Sequence, residues 1–291
     1  MFRSSLICAV ILLCGFSTQA TAQSTWQVSN VPGAEADFSD IGEALASADV
    51  QDEDWLEIAP SPFSYGDVRL EKRVNLRGLP DGSGQENEPV IASLEVFSEP
   101  ADSGEMVFVT GLNIRDLTVE RRNINLTSCR IGNLSINSTR TASVEQCWIA
   151  LGEADRILVS GGMETDFSLT GNFIHVAGSG IFVRTEPSIL STLKNNTIVD
   201  ETGTSEWVIY RGDLVNNILT VPAGRLALFD VEVRSNLSTR KTFLSEGNTD
   251  EVDIDALFAG DSDTIEAWLP AEGGPAEGTG GGLTDIGFTG G

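Results

Sequence analysis

From residue 109 to residue 238 the chain returns seven times to one six-residue pattern: an apolar residue, two variable ones, then Leu, Cys or Asn, another variable residue and, as a rule, a second apolar one. The copies are 109–114, 126–131, 144–149, 169–174, 193–198, 214–219 and 233–238. Their fourth positions, Leu112, Cys129, Cys147, Asn172, Asn196, Asn217 and Asn236, stand 17, 18, 25, 24, 21 and 19 residues apart. Between the copies lies a second set of short alternating runs: 117–119, 134–136, 157–159, 181–183, 207–209 and 226–228. Alternation with β-branched and apolar residues on one side, broken by Gly, Asn, Ser and Thr, predicts short strands separated by turns. A strand repeat of roughly 20 residues predicts a β-solenoid, in which each coil buries its face on the next. A leucine-rich repeat would need several leucines per copy and a helical return, and neither occurs here.

The two ends read differently. Ile41, Ala44, Leu45 and Ala48 fall on one helical face, with Asp40 and Glu43 as N-cap and N3 partner. A short amphipathic helix at a solenoid end covers strand edges that would otherwise invite end-to-end growth. Residues 1–22 have Arg3, an apolar run from Leu6 to Phe16 and the triplet Ala20-Thr21-Ala22, as expected of a secretory signal peptide. Cys14 at the end of that run leaves a lipoprotein signal as the second reading, although Leu13 stands where a small residue belongs. The expected organisation is a signal peptide over 1–22, an N-terminal cap of helix and first strands over 23–73, and coils over 74–245. An acidic, Gly-rich segment over 246–291 is expected to pack on the solenoid.

Several stretches then resemble the pectate-lyase-like superfamily. The run 38–45 followed by 55–60 is similar to that family's capping helix and first strand, 68–78 to its first coil, and 284–288 to a common terminal segment. The resemblance implies an all-β fold, a right-handed parallel β-helix with a short N-terminal capping helix. It is specific for fold and silent on activity.

Composition narrows the partners. Forty-three acidic against 18 basic side chains give a formal charge of -25, which disfavours nucleic acid and anionic membrane surfaces, because both need clustered Lys and Arg. At 41% apolar residues the chain is too hydrophobic to be disordered, and no segment is long enough to form a transmembrane helix. The expected location is secreted, periplasmic or at the cell surface, and the expected state a monomer.

Asn172, Asn196, Asn217 and Asn236 share the bend position and are expected to form a structural amide ladder, since such groups are costly to bury without partners. Cys129 and Cys147 occupy the same position in earlier coils. A strand spacing of about 4.8 Å permits a disulfide while parallel stacking makes its torsion awkward, so a bridge and two buried thiols both remain open. No metal site is expected from two cysteines. Just past the bend, Arg130, Trp148 and Phe173 should stack in successive coils, as a sugar platform or as a covered satellite cluster. Past the second strand, Glu120, Asn137, Ser160, Arg184 and Tyr210 should align. In the enzymes that the chain resembles this face carries the groove, which makes Arg184 and Tyr210 the preferred binding candidates. His175 is the lone histidine and has no nucleophile pattern around it.

The hydrolases of that family carry Asn-Thr-Asp, Asp-Asp, Gly-His-Gly and Arg-Ile-Lys. Here His175 sits in Ile-His-Val, and Asp-Asp and Arg-Ile-Lys do not occur. Inverting hydrolysis needs two carboxylates flanking one bond, yet Glu120 is the only acid in its predicted row. No cofactor is expected, with calcium as the one possible exception. The reading that emerges is a noncatalytic module binding a polysaccharide or cell-surface glycan, or serving as a structural surface element. The competing reading is a calcium-dependent polysaccharide lyase acting on an acidic polymer. Arg184 or Lys194 would be its base, and Glu153, Asp155 and Glu164 lie in an adjoining long turn.

Overall fold

The computed structural model describes residues 23–80, 88–98, 105–152, 155–161, 165–177, 181–200, 206–220, 226–238 and 248–249. The expected signal peptide, and all of the segment 246–291 except Asn248 and Thr249, lie outside them.

The described chain is all-β, with one six-residue helix, Ile41–Ala46, among the described residues. Its strands coil into a parallel solenoid. Ten of them, from Thr25–Val28 to Val231–Arg234, pair in one sheet that forms wall A. The other thirteen form a second sheet that divides partway along. In its early coils one eight-residue strand, such as Asn113–Glu120 or Arg130–Asn137, runs along the whole side. Arg130–Asn137 then pairs through Arg130 and Ile131 with Trp148–Leu151, and through Leu134 to Asn137 with Ile157–Ser160. Beyond this point the side is two walls, B and C, in the coils where the repeat spacing in the sequence is wider.

The six-residue pattern is the cross-section of one coil. Its first positions stack in wall A, where Leu56, Leu76, Val109, Leu126, Val144, Leu169, Leu193, Leu214 and Val233 meet in register. Its sixth positions stack in wall B, from Ile114 and Ile131 through Ile149, Ile174 and Ile198 to Leu219. Nearly all of these side chains are fully buried, so the core is a set of apolar columns running through the coils. The sharp turn between the two walls needs one residue out of the β region, and the third position supplies it. Gly111, Ser128, Gln146, Gly171, Asn195, Asn216 and Ser235 all have φ between 52° and 65°. The ladder asparagines themselves therefore keep ordinary dihedrals; the left-handed residue is the one before each of them.

At the N-terminal end the Asp40 carboxylate accepts the Glu43 N–H at 2.7 Å, and Glu43 in turn accepts the Ser39 N–H and hydroxyl. Ile41 and Ala44 are buried against the first coil, whereas Ala48 is exposed, because the helix stops at Ser47. Beneath it, Asp54 accepts from Ser24 N–H, Gln51 N–H and the Trp26 indole at 2.8–3.0 Å. Burial alone pushes this carboxyl up, but the three donors and the nearby Lys72 outweigh it and hold Asp54 below its ordinary range.

Candidate functional site

The corner between walls A and B is built from amides. Asn196 is fully buried; its Oδ1 accepts from both the backbone N–H and the side-chain Nδ2 of Asn172, at 2.9 and 3.0 Å. Its own Nδ2 donates to Leu169 O in the coil before and to Asn217 Oδ1 in the coil after. Asn172, Asn217 and Asn236 repeat the arrangement, and Asn248 adds a fifth rung. Sequence reasoning missed Asn248, because Ser245 and Asp250 stand where the pattern has apolar residues. Asn172, Asn196, Asn217 and Asn236 each join three coils with both amide atoms paired, as expected of a structural corner.

Cys129 and Cys147 are free thiols that continue the same column. Cys147 N–H donates to Asn172 Oδ1, and Cys147 Sγ accepts from Cys129 N–H at 3.4 Å, taking the role of an amide oxygen. The thiols donate to nearby carbonyls, Cys129 to Thr127 and Cys147 to Glu145. Burial pushes the Cys147 thiol up, well above its ordinary range. The bridge left open by the sequence is therefore not formed.

On wall B, Arg130, Trp148 and Phe173 stand side by side in register as the spacing predicts. The Arg130 guanidinium lies 4.9 Å from the Trp148 ring centre and pairs with Glu88, and Trp148 meets Phe173 edge-on at 5.5 Å. This is no sugar platform, however. Phe173 is only 1% exposed although it points away from the core, and Thr197, Ile218 and Leu237 in the same column are also buried. The edge-on contact moreover presents no continuous ring face. Phe173 is a packing residue, and alternation alone could not show that its column is covered from Phe173 onward.

Wall C keeps the expected row in part. Phe97, Glu120, Asn137 and Ser160 are in register across four coils. Arg184 is not the next member: it pairs with Leu158 on one side and Val208 on the other, two residues away from the expected partner Ser160. A two-residue slip leaves inward residues inward, so period-two alternation cannot detect it. Arg184 is exposed in the neighbouring column, with no ion pair among the described residues. Tyr210 follows its strand, with its N–H held by Thr185 Oγ1 at 3.2 Å, and its ring stacks on Phe229 at 5.0 Å and 18°. Phe229 is 50% exposed. At the opposite end of this face the Arg69 guanidinium lies 4.9 Å from the Phe97 ring centre and pairs with Glu71 and Glu95.

The residues weighed for lyase chemistry are dispersed. Lys194 is on wall A, in register with Thr170 and Val215, while Arg184 is on wall C. Asp155 closes the corner between walls B and C by accepting the Gly152 N–H, and Glu153 and Glu164 lie outside the described residues. Among the described residues no three His, Cys, Asp or Glu side chains are placed to hold a metal ion. No protein-family model, curated protein or solved structure matches the chain.

Proposed function

We propose that the chain is an exported, right-handed parallel β-helix of the pectate-lyase-like type that binds a polysaccharide along the outer face of wall C as a monomer, without turnover. The handedness follows from the strong right-handed preference of parallel crossovers. Export follows from the signal-like first 22 residues, and a periplasmic or cell-surface location would serve equally. The observation that carries the binding reading is the Tyr210–Phe229 stack, two near-parallel rings of which one is half exposed. Beside it, Glu120, Asn137 and Ser160 supply a row of acceptors and donors at the strand spacing, and Arg184 adds an exposed donor fork. Sugar rings present apolar C–H faces and polar rims, which is the pairing that this surface offers.

The test is a glycan array followed by calorimetry on the polymers retained. Replacing Phe229 or Tyr210 with Ala should weaken binding by about tenfold or more. Retention of no glycan at all would sink the reading. Incubation with uronate polymers and calcium, read by the ultraviolet absorbance of unsaturated products, separates it from the lyase, and product lost on Arg184→Ala or Lys194→Ala would overturn it.

A further inference from the structure

We propose that wall A carries a second glycan site, floored by Trp55 and Phe108, for an uncharged polymer of hexopyranose rings with equatorial hydroxyls. It rests on the glycan-binding reading for its ligand class but on none of the residues of wall C.

Trp55 and Phe108 point outward from wall A two coils apart, at positions preceding the buried Leu56 and Val109. Two strand spacings would hold them about 9.6 Å apart, yet their ring centres are 6.4 Å apart, with the planes 27° from parallel. The coil between them makes this approach feasible. Its residue at that position, Asn75, is 4% exposed and bonded to the neighbouring backbone, with Nδ2 donating to Glu53 O and Oδ1 accepting the Phe108 N–H at 3.0 Å. With Asn75 held against the sheet by these bonds, the two rings approach across it. Arg77 holds Trp55 in place: its guanidinium lies over the Trp55 ring, 4.7 Å from the ring centre, and pairs with Glu57 at 3.2 Å, which leaves Phe108 as the open ring of the pair. Phe108 is nevertheless 44% exposed. An exposed ring held by its neighbours loses little conformational freedom when a ligand stacks on it.

The same two outward columns continue as a polar track. Thr127 donates to Asn125 at 2.7 Å, Asn125 and Ser143 both donate to Glu145, and the Ser143 and Ser168 hydroxyls are 2.9 Å apart. These oxygens recur once per coil beside the aromatic floor, where they can exchange hydrogen bonds with the hydroxyls of a sugar chain lying across the strands. From Trp55 to Lys194 the two columns carry Glu57 and Glu145 against Arg77 and Lys194, a neutral balance in a chain of formal charge -25. Neutrality and hydroxyl density select an uncharged glycan. Rings whose hydroxyls are equatorial turn their C–H bonds to both faces, which suits stacking on a flat aromatic floor.

The probe is cellohexaose, titrated calorimetrically into the full chain, with maltohexaose as the curved, axially linked comparison. Phe108→Ser should weaken cellohexaose binding at least about tenfold, and because Phe108 is half exposed this variant keeps the fold, as circular dichroism will report. Trp55→Phe should weaken it less, Phe229→Ser should leave this component unchanged, and maltohexaose should bind more weakly than cellohexaose in the parent. Parent-like binding in Phe108→Ser overturns the wall A site, as does failure of the parent to bind cellohexaose. Loss with Phe229→Ser but not with Phe108→Ser also overturns it while upholding wall C, so the two readings fail separately. A protein, rather than a glycan, released by Phe108→Ser would overturn it as well.

Discussion

Replacing Asn196 with Ala tests whether the amide column holds the solenoid together. The substitution removes one acceptor that serves two donors, Asn172 N–H and Asn172 Nδ2, and one donor group that serves Leu169 O and Asn217 Oδ1. Asn217 Oδ1 keeps the Asn196 backbone N–H, so its loss is partial. The uncompensated groups are two buried N–H donors and one buried carbonyl. At about 1–3 kcal/mol for each orphaned group, and with some relief from a water entering the space, the expected loss is about 3–6 kcal/mol. That is a large part of the stability of an ordinary domain, about 5–15 kcal/mol. Denaturant unfolding followed by circular dichroism, extrapolated linearly to water, measures it. Asn196→Asp sharpens the test. A carboxylate still accepts from Asn172 but sets its own oxygen against Leu169 O and Asn217 Oδ1, so at neutral pH it should be worse than Ala. Acid should partly restore it by returning a proton to donate. A loss below about 1 kcal/mol for Asn196→Ala, or wild-type stability for Asn196→Leu, would refute the amide-ladder account.

The thiols of Cys129 and Cys147 should resist a water-soluble thiol reagent in the native protein and react only on unfolding, because burial raises the Cys147 thiol and both are enclosed; prompt labelling of the native chain would contradict this. Cys147→Asn should be neutral or stabilising by about 1 kcal/mol in the same denaturation assay, since an amide oxygen accepts the Cys129 N–H better than sulfur does. Gly212 has φ 130°, and a Cβ there would lie 1.8 Å from Ser191 O, so Gly212→Ala should cost about 3 kcal/mol or more; thermal unfolding that matches the parent would show that this corner yields. Asp54 has a depressed carboxyl, so its contribution is complete above the unfolded value of about 3.9 and is lost as pH falls through the lower folded value. Unfolding measured between pH 6 and 2 should therefore lose stability below about pH 4, with less dependence in Asp54→Asn.

What the sequence revealed of this molecule depends on which side of each wall a residue occupies. Inward columns such as Leu126, Val144 and Leu169 are legible because every coil must solve the same packing problem with the same residue class. The amide corner is legible for the same reason, until Asn248, where the flanking apolar residues that define the pattern are missing. Outward positions have no such constraint. Alternation puts Arg184 two residues from its true register because that slip preserves inside and outside, and it puts Phe173 on the surface because nothing in its own strand reports cover. Trp55 and Phe108 escaped notice for a different reason: the six-residue pattern begins at Val109, and only the pairing of Leu56, Leu76 and Val109 shows that the earlier coils belong to the same column.

That division also indicates where chemistry can reside on a solenoid. A residue in an inward column repeats because its neighbours above and below require it, so repetition there speaks to folding. Asn75 breaks the rule in the informative direction: it occupies an outward position, yet it is 4% exposed and hydrogen-bonded to two backbones. Had its side chain extended away from the sheet, it would have stood between Trp55 and Phe108 and kept their rings apart. The strand itself does not need these bonds, since Asn125 and Ser143 occupy the same column outside without disturbing the pairing. What these bonds do change is the surface, where the Trp55 and Phe108 ring centres come within 6.4 Å of each other. An outward amide spent on two backbone bonds beside an exposed Phe108 is therefore the place where the wall A proposal stands or falls.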